Sequence, residues 1–443
     1  MAYSSSGNLP FESASKLGHL SVVEDPFVKE LLHSFEKIQT DPAAMPAGAV
    51  VELDLSNVKP LDFVIAVDGS LSTIPNTLAP HKTLSYIKIA ALNISLEELE
   101  KAQAPIVNPD MVHQLLSTHA DTESTVLPLG NIRVPGKTLL ESERQAIETT
   151  FKKFQGGSLY ETLRYLVSQE WDPDPAAWQP GAAERPHFRC PFCSSDVTFP
   201  RSQFAFACSA CGRDLSLCDY MGLLMEVNET SNDASIAFNL MSVLEHLLLF
   251  TYVRVLVEKG PRFHERVLLL KDGPLMLRGQ YSRLVDPIRA YLHHLERNGK
   301  QLFIAGVEKD GAFAEHIEEI KHWFGGGGKF FLPDNRYILE RIKHSGSAAT
   351  QYGEKVLYGS KLYYAVNQRN ILVLNVPHYA ANAKPSDLPA LNRIAKTLDC
   401  LVSRQYQNAL LPIVAVNRIA SMSFYPSNNI LERFTEAELA ARR

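Results

Sequence analysis

The sequence predicts an α/β protein, on three observations. The run Val64-Ile65-Ala66-Val67 closes on Asp68-Gly69-Ser70, and the run Val267-Leu268-Leu269-Leu270-Lys271 closes on Asp272-Gly273-Pro274-Leu275. Apolar runs of this length, bounded by turn residues, suit strands buried on both faces. Residues 280–443 then alternate helical and extended patterns, as they do where helices cover a sheet. Two aspartates where buried strands leave the core are also a common way to hold a divalent cation.

Each element follows from local pattern. Residues 1–20 form a Ser-rich arm, and Leu31 to Phe35 belong to a short helix; together they make an N-terminal segment of residues 1–60. The first core strand covers 63–67, and 85–94 pairs with it, so residues 61–96 begin the core. Residues 97–184 are a helical insertion, clearest at 139–154 and 159–168. Trp171-Asp172-Pro173-Asp174-Pro175 and Pro180-Gly181 are linker material. A cysteine-rich insert occupies 185–218, and 219–443 complete the core. There a long helix spans 234–258 and the second Asp-Gly strand follows. Next come helix 283–297, strand 301–306, helix 312–323, strands 362–366 and 370–376, and helices 386–405, 412–422 and 428–441. No internal repeat is visible.

The chain has 443 residues, 45% of them hydrophobic and 21% charged, with net charge -5. This is ordinary globular composition, and it excludes a basic nucleic-acid coat. Any DNA contact must come from a local groove, a metal site or a partner. The N-terminus lacks a basic-then-apolar leader pattern, and Arg254 and Glu258 interrupt the most apolar run before it reaches membrane length. A cytoplasmic location, with no membrane partner, is the expectation.

Cys190-Pro-Phe-Cys193 and Cys208-Ser-Ala-Cys211-Gly212 are two C-x2-C knuckles. Four thiolates so spaced match one tetrahedral Zn²⁺, and a site with all four positions filled by protein is structural. The alternative is a set of reduced, unmetallated thiols. Cys218 and Cys400 fall outside the pattern and read as small buried residues.

The helix at 234–258 is apolar over most of its surface and must be central. Glu245 interrupts it, with Met241, Leu248 and Leu249 as helical neighbours. A carboxylate on such a face needs a metal, or else a partner such as a core Arg or His246. The plain reading of Asp-Gly is a hairpin turn. Two of them plus an embedded Glu favour a cation site at Asp68, Glu245 and Asp272.

The order of these features carries a family resemblance: strand-DGS, cysteine insert, long helix with an internal Glu, strand-DGPL, then a strand ending Gly306-Val307-Glu308-Lys309. Over residues 60–425 the chain resembles the NurA family of DNA repair nucleases. The resemblance implies an RNase H-like mixed sheet flanked by helices, here with a helical insertion and an inserted zinc ribbon. It implies Mn²⁺- or Mg²⁺-dependent hydrolysis of DNA, as 5′–3′ exonuclease and single-strand endonuclease. It also implies a homodimer seated on a HerA-type hexameric ATPase, in DNA end processing or anti-phage defence. By motif, Asp68 and Asp272 match the family's two aspartate ligands and Glu245 its glutamate. Lys309 falls where it can contact the scissile phosphate, or else is a solvated loop lysine.

One departure concerns the segment Leu411-Pro412-Ile413-Val414-Ala415-Val416-Asn417-Arg418. Here Asn417 stands where the family places a histidine. An amide is no general base, so the fourth corner of the site falls to His378, to Asn417 as a weak ligand, or to the carboxylates alone. A strand-end histidine is also ordinarily a surface residue. The expected mechanism uses two divalent ions about 4 Å apart, with Asp68 bridging them and Asp272 and Glu245 completing the shells. The competing reading is a non-catalytic nuclease-fold adaptor that docks DNA or a motor through the zinc ribbon. Gly325-Gly326-Gly327-Gly328-Lys329 imitates a phosphate loop, but Phe330 stands where Ser or Thr must hold Mg²⁺. The run reads as a flexible loop, so any motor is a separate chain. Leu9, Phe11 and Leu20 in the arm are candidate docking residues for it.

Overall fold

A run of strands that are apolar on both faces needs cover on both sides, and the helices supply it. The computed structural model describes residues 22–35, 45–46, 48–76, 82–103, 119–179, 186–226, 235–278, 283–344, 351–378, 382–403, 408–422 and 427–440. The arm residues Leu9, Phe11 and Leu20, the Pro180-Gly181 linker and the end of the expected helix 386–405 lie outside these. The chain divides into two compact units, Met1–Ala44 and Met45–Arg443. In the first, helix α1 (Pro26–Ser34) starts with Pro at its first turn and an Asp25 cap that accepts from the Phe27 amide at 2.8 Å. Phe27, Leu31 and Leu32 on it are exposed.

The second unit is built on one mixed sheet. Its first half comes from β1 (Val50–Glu52), β2 (Phe63–Asn76), β3 (Lys82–Ser95) and β4 (Ala120–Leu129), with α2 (Leu96–Gln103) between the last two. Helices α3 (Leu139–Lys153) and α4 (Ser158–Val167) follow, then the short cysteine-bearing strands β5 (His187–Arg189), β6 (Asp196–Thr198), β7 (Ala205–Ala207) and β8 (Asp214–Ser216). The second half comprises α5 (Ser235–Lys259), β9 (Val267–Asp272), α6 (Val285–Arg297), β10 (Phe303–Glu308), α7 (Ala312–Phe324), β11 (Lys329–Phe331), β12 (Gly359–Ala365) and β13 (Ile371–Pro377). Helices α8 (Leu391–Asp399), α9 (Leu411–Ala420) and α10 (Ser427–Ala440) end the chain. The sheet order is β1-β11-β12-β13-β10-β9-β2-β3-β4. Its centre, β2-β9-β10, is parallel, and the other pairings are antiparallel.

Residues alternate across the sheet as a pleat requires. Ile65, Val67 and Leu269 face a core shared with α3, α4, α5 and the cysteine strands. Val64, Ala66, Leu268 and Leu270 face the opposite core, under α8 and α9. Helix α5 is buried nearly all round: Leu240, Val243, Leu244, Leu247 and Phe250 are fully enclosed. Its hydroxyl pair Thr162–Thr251, 2.8 Å apart, fastens it to α4. Contrary to expectation, this helix does have the length and composition of a membrane span. Its burial against β2, β3 and α4 makes it a core helix.

Several boundaries differ from the sequence reading. Strand β2 does not end at Val67. It loses β9 as a neighbour there but keeps β3 beside it to Asn76. The expected helical insertion opens with α2 but also contains a strand, β4, at the edge of the sheet. Its polar sequence Asp121-Thr122-Glu123-Ser124-Thr125 fits one exposed face, and the hydrophobic pattern misses it. The N-terminal segment donates the opposite edge, β1, paired with β11. The glycine run is no free loop: Gly325 closes α7 in the left-handed conformation and Lys329 opens β11. The expected helix from 386 shrinks to α8, because Pro385 and Pro389 limit its start.

Candidate metal centre

The parallel strands deliver two carboxylates to one place. Val67 pairs with Lys271 in β9, so Asp68 and Asp272 sit at the next level, on the same face of adjacent strands. Asp272 also pairs with Val307 of β10, which ends at Glu308, immediately before Lys309. The Lys309 ammonium lies 2.7 Å from Asp272 Oδ2. Helix α9 covers this face. The Ser70 hydroxyl accepts from the Met422 amide at 3.2 Å, and Lys88 Nζ donates to the Ile419 carbonyl at 2.7 Å. These bonds fix the end of α9 so that Asn417 Nδ2 reaches Asp272 Oδ2 at 3.3 Å.

The two Asp-Gly glycines serve different purposes. Gly273 has φ +87°, a left-handed turn that carries its carbonyl across Gly306 of β10; a Cβ on Gly306 would lie 2.6 Å from that oxygen. Gly69 is ordinary strand in φ, and what it lacks is room. A Cβ there would lie 2.5 Å from Glu245 Oε1 and 2.9 Å from Met241 Cγ. The central helix therefore reaches the sheet only because residue 69 has no side chain.

Glu245 arrives from the α5 side of the sheet. Its Oε2 is 2.7 Å from Lys271 Nζ, and both side chains are at least nine-tenths buried. The Lys271 ammonium also donates to the Asp272 carbonyl at 2.7 Å. Of the two partners foreseen for Glu245, neither an Arg nor His246 takes it. Lys271 was not singled out in the sequence, yet a charged residue inside Leu268-Leu269-Leu270-Lys271 is the signal that could have found it. His246 instead has its Nδ1 2.7 Å from the Ser242 carbonyl, and burial, then Lys271, pushes its pKa well down.

Asp68 is the unusual group. It is 6% exposed, one oxygen accepts from the Gly69 amide at 2.8 Å, and Oδ2 is buried with no partner. Burial first, then the charges of Asp272 and Glu245, raise its pKa from 3.8 to about 8. Burial also raises that of Glu245, against the pull of Lys271. A buried carboxylate oxygen without a donor calls for a partner such as its own proton, a water or an ion. The carboxylate oxygens nonetheless stand apart. Among the described residues, the four cysteines are the one group of three or more His, Cys, Asp or Glu whose ligand atoms all lie within 4.8 Å of one another.

His378 is elsewhere. Strand β13 runs antiparallel to β10, with Asn375 opposite Gly306 and Val373 opposite Glu308. His378 therefore lies toward the start of β10, roughly 13 Å along the strand direction from Asp272 at about 3.3 Å per residue. There its Nδ1 is 3.2 Å from Ser360 Oγ.

The cysteines do converge. Sγ of Cys190 is 3.9 Å from that of Cys211, and Sγ of Cys193 is 3.8 Å from that of Cys208. Four ligands about 2.3 Å from a tetrahedral centre are about 3.75 Å apart. The knuckles are built alike: the amides of Ser194 and Gly212, both with positive φ, donate to the carbonyls of Cys190 and Cys208 at 2.9 Å. The cluster can hold a metal ion such as zinc. Beside it, Arg144 of α3 pairs with the enclosed Asp219 at 2.9 Å, and Arg201 donates to the carbonyls of Ser168 and Pro173 at 3.1 Å, closing the end of α4. No protein-family model and no curated protein matches the chain.

Proposed function

We propose that the protein is a divalent-metal-dependent nuclease that hydrolyses phosphodiester bonds in DNA. The observation that carries the reading is the buried, partnerless Oδ2 of Asp68 beside Asp272, where the parallel pairing of β2 with β9 ends. The strand order β4-β3-β2-β9-β10, with three antiparallel strands, a helix and two further parallel strands in chain order, supports an RNase H-like core. The DGS, DGPL and GVEK motifs and Glu245 at mid-helix support NurA-type chemistry. Carboxylate oxygens suit Mn²⁺ or Mg²⁺. When bound, such an ion supplies Lewis-acid charge and an activated water. Asp68 and Asp272 would hold it. Lys309, one-third exposed, is placed to meet an incoming phosphate, exchanging Asp272 for it. Asn417 orients Asp272 and takes no proton.

In the same reading the four cysteines hold one structural Zn²⁺. A HerA-type hexameric ATPase and a second copy of this chain are the partners, and DNA end processing or anti-phage defence in the cytoplasm is the role. Linear and single-stranded DNA incubated with Mn²⁺ should be degraded, and chelator should stop it. Asp68→Asn and Asp272→Asn should each lower the rate at least 100-fold with the fold intact. Parental cleavage by either variant overturns the assignment.

The second reading is a nuclease-fold adaptor without catalysis. Lys271 on Glu245 and Lys309 on Asp272 favour it, because they already neutralise two of the three carboxylates. The same digestion separates the two readings: an adaptor binds DNA and leaves it whole.

A further inference from the structure

We infer that the carboxylate site takes one divalent ion rather than two, with the Lys271 ammonium standing permanently where a second cation would sit. The inference rests on the metal-dependent reading above and concerns its stoichiometry. Glu245 has no oxygen to spare. Oε2 is held 2.7 Å from Lys271 Nζ, Oε1 lies against residue 69, and the Gly69 backbone also hydrogen-bonds this carboxylate. The ammonium is itself anchored, since it donates to the Asp272 carbonyl at 2.7 Å while its side chain is 95% enclosed. Freeing Glu245 for a metal would leave a buried lysine without its counter-charge, which costs several kcal/mol.

The pleat sets the geometry. Lys271 follows Leu269 on the α5 face of β9, together with Glu245. Asp68 and Asp272 follow Ala66 and Leu270 on the α9 face. The sheet thus separates one satisfied ion pair on the α5 face from one unsatisfied carboxylate on the α9 face. Of the oxygens in the group, only Oδ2 of Asp68 is buried without a hydrogen-bond partner. Charge agrees with this count. Once a bound cation has displaced the proton from Asp68, three carboxylates and the lysines Lys271 and Lys309 sum to -1, enough to hold one dication and too little to hold two adjacent ones.

Mn²⁺ binding to the full-length, zinc-loaded protein tests the inference without reference to cleavage. Titration calorimetry and Mn²⁺ electron paramagnetic resonance should report one ion per chain, magnetically isolated. The double variant Glu245→Gln/Lys271→Met removes the ion pair as a neutral set. It should still bind one Mn²⁺ with Kd within about threefold of the parent, whereas Asp68→Asn should lose it. Two ions per parental chain, or loss of Mn²⁺ in a folded double variant, overturns the inference. If the double variant fails to fold, the parental count alone decides. A count of two leaves the nuclease reading standing, while a count of zero removes both. One ion without DNA cleavage keeps the inference and removes the nuclease.

Discussion

At the scale of single residues, Asp68 is a carboxylate that the fold tolerates at a cost. Its pKa rises from 3.8 to about 8, chiefly by burial. A raised carboxyl contributes its full stability below the unfolded value and loses it as pH climbs toward the folded one. Between pH 4 and 8 the unfolded chain releases this proton while the folded chain keeps it, so folding weakens by up to about 1.4 kcal/mol per pH unit. Above pH 8 both states are ionised and the loss stays constant. Asn at this position pays nothing of the kind. In chelator, Asp68→Asn should therefore melt above the parent, with a gap that widens from pH 4 to 8 and then stays flat. Saturating Mn²⁺ should reverse the order, because only the parent gains the binding free energy. Thermal melts across pH, with and without Mn²⁺, check both halves. A gap that is flat from pH 4 to 8 removes the buried-proton account of Asp68.

At the scale of elements, legibility followed the length of the hydrophobic signal. Helix α5 and strands β9, β10, β12 and β13 were readable, because each is apolar enough to leave one interpretation. So was Asp272, which ends β9; Asp68 was singled out too, but it lies inside β2 and marks the end of the pairing with β9, not the end of a strand. The short strands β1 and β11 carry three residues each and no usable period. Strand β4 was hidden by its polar face. The Lys271–Glu245 pair was out of reach for a different reason, since it joins two elements whose relative rotation no local pattern fixes. The cysteine strands were legible from spacing alone, and they yield an element-level prediction. Phe188, Cys190, Val197, Phe199, Cys208 and Leu215 all belong to the core that covers α3 and α4. Four three-residue strands are marginal by themselves, so the proposed zinc would be their main crosslink. Cys208→Ser should release zinc, lower the melting temperature and speed proteolysis within 186–220. Mn²⁺ binding at Asp68 should persist. Metal analysis with limited proteolysis reads this, and an intact, zinc-free segment as resistant as the parent's would show that the thiols fold unaided.

At the scale of the whole molecule, the parallel centre of the sheet gathers the residues of the proposed site at one end. Strands β2, β9 and β10 all point the same way, and ligands of such sheets gather beyond the carboxyl ends. Asp68, Asp272 and Lys309 are at that end, with Asn417 brought over them by α9. The antiparallel strand β13 returns in the other direction, which carries His378 to the opposite end. Sequence order placed His378 just after a buried strand, as it did Asp272. Strand direction, which the local pattern does not contain, separates them. His378→Ala should accordingly leave Mn²⁺ affinity and any DNA cleavage within about twofold of the parent. Asn417→Ala, by contrast, should weaken Mn²⁺ binding severalfold by freeing Asp272 to turn away. Calorimetry on both variants decides the matter. If His378→Ala loses the ion while Asn417→Ala keeps it, the imidazole belongs to the site and the direction of β13 is misassigned.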